Sequence, residues 1–398
     1  MSLDFDKVAL QIRGMITKLV AGSAERQEHL RHAVDTFNQN AGNFEFLQKK
    51  IAVSKTTWLV AGLVEGLAQH HVAPPVPAEF TVIATDGSHI DVDRHKSTRC
   101  CLINIGTIIL NYGDNHGCVL DSTPCLYSGE EDLVIMPTDG KRHEQVIEGG
   151  LLGVKRSVEE LHKLAEVAAG LPAASSSLAL LDGSLILWGL EAYPDFVTGL
   201  LLEEGFLSYL SEVKKLNSDK RLAMASYISY PRSTDVVNAL RVALCPYDPP
   251  DCDRYCLTKE KRECDAVAGI RDRELFAEVL DQGERSAIFV SPSKIQKYYG
   301  EHQVHFFYVR VGDEIARIEI PRWVAADDDL LGLTHTLVLD QCNRGHGYPV
   351  ALSEAHEKAV VTTADRENFW QMVEASLVEE QVSTFNSAKS RSKKTRWV

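Results

Sequence analysis

Residues 81–90, TVIATDGSHI, and residues 178–190, LALLDGSLILWGL, decide how this chain is read, because each runs an apolar segment straight into Asp-Gly-Ser. The first is rich in β-branched residues up to Asp86, as a strand requires. The second is continuously apolar up to Asp182, the pattern of a strand buried on both faces in the middle of a sheet. In both, the glycine lets the backbone turn away, so each aspartate is expected at a strand end, where a carboxylate can reach a hard cation. A single Asp-Gly-Ser reads more readily as an ordinary turn. Two copies behind buried-type strands shift the balance and make a shared site for one or two divalent ions a candidate, with a pair of ordinary turns as the other reading.

Working outward, RCCLINIGTIILNYG (99–113) and GCVLDSTPCLYS (117–128) read as two more strands, so a three-strand meander is expected. A long helix is predicted over about 144–169, and a second near 196–216. The strand RLAMASYIS (221–229) follows, then the helix STDVVNALRVAL (233–244), with Ser233 or Thr234 as its N-cap. VHFFYVRVG (304–312) and EIARIEIP (314–321) make a strand pair around Gly312 and Asp313. Helices at DDDLLGLTHTLVLDQ (327–341) and RENFWQMVEASLVEEQV (366–382) flank GYPVALSEAH (347–356). The expected fold is α/β, a mixed sheet flanked by helices.

Towards the N-terminus, VALQIRGMITKLV (8–20) and TTWLVAGLVEGLAQ (56–69) carry apolar residues at three- and four-residue spacing, so residues 1–78 are expected to be a helical region. VAPPVPAEF (72–80) ends it, since three prolines cannot sit in a helix interior. Residues 79–380 then form the main domain. Residues 381–398, ending in SAKSRSKKTRWV, form a basic tail short of apolar residues.

Hydrophobic residues make up 44% and charged residues 25% of the 398, which excludes a chain disordered over most of its length. No apolar run reaches membrane-spanning length and the first residues lack a secretion-signal profile, so a cytoplasmic location is expected. The net charge of −14 lowers the expectation of a nucleic-acid partner, but 42 basic residues can still gather on one face. No G-x-x-x-x-G-K-S/T phosphate cradle is present, which disfavours a hydrolase of small phosphoesters.

Two further clusters carry chemistry. Tyr348 and His356 stand either side of Pro349 in GHGYPVALSEAHEKAVV (345–361). A histidine can protonate or orient a phosphate and a tyrosine hydroxyl can fix an oxygen, though a core Tyr and a surface His read the same way. Cys245, Cys252, Cys256 and Cys264 fall within 20 residues as C-x6-C-x3-C-x7-C. They are candidates for structural zinc or an iron–sulfur cluster, without the C-x2-C knuckles that mark zinc, and free thiols are the other reading. Cys100, Cys101, Cys118 and Cys125 fall in expected strands and are read as small buried apolar residues.

Taken in order, ATDGSH, LLDGSL, SYISYPRSTDVVNALR, and FYVRVGDEIARIEIPRWVA with GYPVALSEAH resemble the motifs of the NurA family of DNA-repair nucleases, over about Thr81 to Phe369. The resemblance implies a ribonuclease-H-like core and a manganese-dependent deoxyribonuclease, with magnesium as a possible substitute. It implies 5′-to-3′ exonuclease and single-strand endonuclease activity in DNA-end processing, a homodimer, and partnership with the hexameric HerA ATPase. By motif, Asp86 and Asp182 become metal ligands and Tyr348 with His356 complete the site. The family also uses a Glu from the helix before the second Asp motif. In GVKRSVEELHKLAEVAAGL (153–171), Glu160 lies on the apolar flank with Leu164 and Val167, so it is the expected ligand, with Glu159 second and Glu166 also open. A chain that keeps this fold but serves only as a non-catalytic partner of an ATPase ring is the alternative.

Overall fold

The computed structural model describes residues 3–93, 96, 98–114, 116–137, 143–173 and 176–382. The chain divides into two compact units. One comprises residues 74–227, 294–303 and 320–398 and carries the aspartate motifs. The other comprises residues 1–73, 228–293 and 304–319 and carries the clustered cysteines. The fold is mixed α/β with an N-terminal helical region, as expected from the sequence. Nearly all of the basic tail lies outside the described residues.

In the first unit, strands β1 (Phe80–Ile90), β2 (Cys101–Tyr112) and β3 (Gly117–Tyr127) form the expected antiparallel meander. After helix α1 (Gly150–Ala169) the chain returns as β4 (Ser176–Asp182), parallel to β1. After helix α2 (Leu207–Leu216) it returns again as β5 (Arg221–Ile228), parallel to β4. The order β3-β2-β1-β4-β5 is compatible with a ribonuclease-H-like core. Three helices follow: α3 (Asp328–Arg344), α4 (Val350–Ala359) and α5 (Thr363–Glu379). Leu178, Ala179 and Leu180 of β4 are fully buried, as the continuous apolar run required.

Helices α1 and α4 cover opposite faces of the sheet. Thr85 Oγ1 donates to the carbonyl of Glu160 on α1 (2.8 Å), whereas its even-numbered neighbour Ser88 donates to the carbonyl of Ala359 on α4 (2.7 Å). Asn104 Nδ2 donates to that same carbonyl at 2.9 Å. Alternate β1 residues therefore address alternate helices, as strand periodicity dictates. Gly106 on β2 is needed because a Cβ there would run into the backbone of Ala355 and Ala359, which lets α4 lie directly on the sheet.

Two sequence expectations change here. The Asp-Gly-Ser at 86–88 is not a strand end: β1 continues to Ile90 because β2 pairs with it throughout. The parallel partner β4 pairs only with Thr81 to Thr85, so that side of β1 opens at Asp86. Cys100 and Cys101 are buried, but Cys118 and Cys125 are exposed, because β3 is open to solvent along almost its whole length.

In the second unit, helices Phe5–Gln39, Phe44–Ala52, Asp235–Leu244 and Asp272–Val279 pack on a small antiparallel sheet that includes Val304–Val311. Phe37, Leu47, Leu240, Phe276, Phe306 and Tyr308 lie in its core. Residues 56–69 are not helical as their periodicity suggested. Gly62–Leu63 pairs with Phe289–Val290, and Gly62 allows it, since a Cβ there would lie 2.5 Å from Val290 Cγ1. Strand pairing overrides the local pattern. Helix Asp235–Leu244 does start at Thr234, but without a bond from the Thr234 side chain. The buried Asp272 carboxylate accepts from the N–H groups of Val236 and Val237 instead.

Candidate active site

Asp86 occupies the point where β1 loses its parallel neighbour, and Asp182 is the last residue of that neighbour. Their carboxylates are close enough that the Asp86 charge disfavours ionisation of Asp182. Asp86 Oδ1 accepts from the N–H of Gly87 (2.8 Å), and Oδ2 lies 2.8 Å from Nδ1 of His356 on α4. A carboxylate oxygen accepts, so the proton of this bond sits on Nδ1 and leaves Nε2 as the free ring nitrogen. The His356 side chain is 63% exposed.

Asp182 is open to solvent at its outer edge. The protein around it still raises its carboxyl above the ordinary range by desolvation, a rise that the Asp86 charge adds to and the hydrogen bond from Tyr348 opposes. Tyr348 sits after Gly347, whose φ of +110° makes the turn between α3 and α4. Its ring packs edge-on against Tyr227 on β5 (centroids 5.4 Å apart). Burial, together with the Asp182 charge, keeps the Tyr348 hydroxyl protonated well above its usual range. It therefore stands as a donor to Asp182.

Glu160 reaches this cluster from the other face of the sheet. It is 7% exposed, and burial pushes its carboxyl up to about 8, a rise that Asp86 and Asp182 reinforce and Arg156 opposes. Arg156, one turn earlier on α1, brings Nε to 2.9 Å from Glu160 Oε1, but neither atom makes a hydrogen bond of good geometry. Gly87 makes the approach possible: a Cβ there would lie 2.6 Å from Glu160 Oε1 and 2.9 Å from Arg156 Cγ. The other two glutamates go elsewhere. Glu159 lies 3.6 Å from His162, and Glu166 is exposed and pairs with Lys163 at 3.0 Å.

The structure thus brings Asp86, Glu160, Asp182, Tyr348 and His356 together. Among the described residues no group of three or more His, Cys, Asp or Glu is drawn in to hold an ion. The donor set nevertheless suits a hard divalent cation: all-oxygen, concentrated negative charge, and a buried Glu160 oxygen short of a good hydrogen bond. Arg156 is the residue that sequence reading missed here. The signal was present in Arg-x3-Glu, which stacks the two side chains on one helix face.

The clustered cysteines lie in the other unit. All four are unpaired thiols; Cys256 and Cys264 are buried, Cys245 and Cys252 partly so. Among the described residues no helix is long and apolar enough to cross a membrane.

A family model for the NurA domain matches residues 80–361, a span holding all five residues of the cluster. No curated protein matches the chain. Among solved structures, the NurA nuclease from Sulfolobus solfataricus aligns over 92% of this chain and 98% of that chain, at 14% identity and a TM-score of 0.44. With well over half of its length inside the matched domain, the chain belongs to the NurA family.

Proposed function

We propose that this protein is a metal-dependent deoxyribonuclease that hydrolyses phosphodiester bonds in DNA. The observation that carries the reading is the convergence of three carboxylates from three elements, with His356 on Asp86 and Tyr348 on Asp182. Asp86, Glu160 and Asp182 would hold manganese, or magnesium in its place. Such a cation supplies Lewis acidity towards a phosphate oxygen and activates water near neutral pH. The chain's own groups do the rest. Tyr348 orients Asp182, Asp86 orients His356, and the exposed ring of His356 is placed to pass a proton to or from a phosphate ester. Arg156 offsets the charge of Glu160 within the cluster.

The finer reading follows the family. It comprises 5′-to-3′ exonuclease and single-strand endonuclease activity in DNA-end processing, a homodimer, a cytoplasmic location and a HerA-type ATPase ring that delivers DNA. The ring would answer a physical need, since a chain of net charge −14 captures a polyanion weakly by itself. The deciding experiment incubates purified protein and manganese with end-labelled single- and double-stranded DNA, beside Asp86→Ala and Asp182→Ala. Cleavage by the native chain that falls by orders of magnitude in both variants supports the reading. No cleavage with or without the ATPase leaves an assembly role, and full activity in either variant refutes the assignment of that aspartate.

A further inference from the structure

Strand β3 has the sequence of a covered strand and the surroundings of an open one. GCVLDSTPCLY (117–127) is apolar over 118–120 and again over 124–127, the pattern of a strand buried on both faces. Yet residues 117–126 are all exposed, Val119 to 51%, Leu120 to 38% and Leu126 to 55%. Val119 and Cys125 present apolar surface on one face of the sheet, and Cys118, Leu120 and Leu126 on the other. Among the described residues β3 is the last strand on its side of the sheet, paired to β2 along one edge. Its outer edge offers N–H and C=O groups as a template for another strand.

The strand is complementary to itself run backwards. When two copies extend one sheet antiparallel across a twofold axis, each keeps its faces, so the axis is perpendicular to the sheet and one residue stands opposite its own copy. With Ser122 on the axis the whole strand overlaps: Cys118 meets Leu126, Val119 meets Cys125, Leu120 meets Pro124, and Asp121 meets Thr123. Apolar residues therefore meet apolar ones. An axis at Asp121 would set like charges face to face, and one at Thr123 would set Asp121 against Cys125, both less favourable. Pro124 removes at most one donor from each strand of the new ladder.

The layers above accept this register. Asp86 is opposite Gly106 and Gly106 is opposite Ser122, so the axis lies level with the carboxylate cluster. At about 4.8 Å per strand, the two Asp86 residues would stand about 24 Å apart in one row. The two copies of α4, each resting on Gly106, would lie about 14 Å apart on one face. That exceeds the roughly 8–10 Å of directly packed helices, so they do not collide.

We infer that β3 is a self-association edge, through which two copies of this chain pair antiparallel about Ser122 into one continuous sheet. The inference rests on the homodimer reading proposed above and gives that dimer its interface.

Sedimentation of the full-length chain, without DNA or metal, should show twice the 44.2 kDa of one chain. Leu120→Lys places a charge on the edge and removes an apolar contact at two symmetric positions. It should weaken association at least about a hundredfold while circular dichroism stays native. Ser122→Cys, made together with Cys118→Ala and Cys125→Ala, should give a disulfide between copies on mild oxidation, because the two substituted side chains share the axis. Thr123→Cys in the same background should not, since it faces Asp121 of the second copy. A monomer throughout a concentration series overturns both the dimer and its interface. A dimer that Leu120→Lys leaves intact, or that cross-links through position 123 and not 122, overturns the interface alone. The cross-linking decides the matter even if Leu120→Lys fails to fold, and none of these readings depends on whether the carboxylate site cleaves DNA.

Discussion

Replacing Glu160 by Gln should make the metal-free protein more stable, by an amount that grows with pH. The folded protein holds the Glu160 proton up to about pH 8, against 4.5 for an ordinary glutamate. Between those values the folded state keeps a proton that the unfolded state has released, so stability falls as pH rises through the window. At about 1.4 kcal/mol per pH unit the full loss is about 5 kcal/mol, of which roughly 3 falls between about pH 5.5 and pH 8. Glutamine keeps the shape of the side chain and never ionises, so the variant escapes the loss. Urea unfolding of both proteins in chelator at the two pH values measures it, as a gap that widens by roughly 3 kcal/mol on going alkaline. Divalent manganese should invert the order, because it binds the ionised carboxylate and stabilises only the native chain, more strongly at the higher pH. A gap that does not change with pH would refute the burial argument.

Gly87→Ala should push Glu160 away, since the new Cβ would stand 2.6 Å from its Oε1. We expect a stability loss of about 1–3 kcal/mol, read by urea unfolding, and a fall in manganese affinity, read by calorimetry. Tyr348→Phe removes the donor to Asp182 while keeping the ring against Tyr227. It should cost about 1–3 kcal/mol in urea unfolding and lower manganese-dependent cleavage at least tenfold. Trimming residues 1–22 should leave the fold intact by circular dichroism, because the buried residues of helix Phe5–Gln39 begin only at Ala33. It should also reduce retention by an immobilised HerA-type ATPase, since Phe5, Leu10, Met15 and Leu19 are among the exposed apolar residues removed.

What could be read in the sequence was whatever depends on periodicity. The meander, the buried strand before Asp182 and the flank of α1 that carries Glu160 all follow from apolar spacing. What could not be read depends on partners distant along the chain. Nothing local distinguishes Asp86 in mid-strand from Asp182 at a strand end; the difference lies in how far β2 and β4 each extend beside β1. Residues 56–69 have helical spacing, yet a close contact with Val290 claims Gly62 for a strand. Thr234 was legible as a cap position, but the Asp272 carboxylate that fills the role lies 38 residues further along the chain.

The position of Glu160 connects these points to chemistry. Asp86 belongs to the α4 side of β1, where His356 meets it, and Glu160 hangs from α1 on the opposite side. Glu160 joins the cluster past Gly87, where a Cβ would stand 2.6 Å from its Oε1. The aspartates could have gathered at a solvated edge at little cost. Bringing in a third carboxylate through the sheet buries it, and burial makes it hold its proton to about pH 8. Arg156 opposes that rise only in part, so on the proposed function a bound cation would offset the rest. If the cluster binds a divalent ion as proposed, affinity for it should rise with pH until Glu160 is fully ionised, because the ion competes with the Glu160 proton.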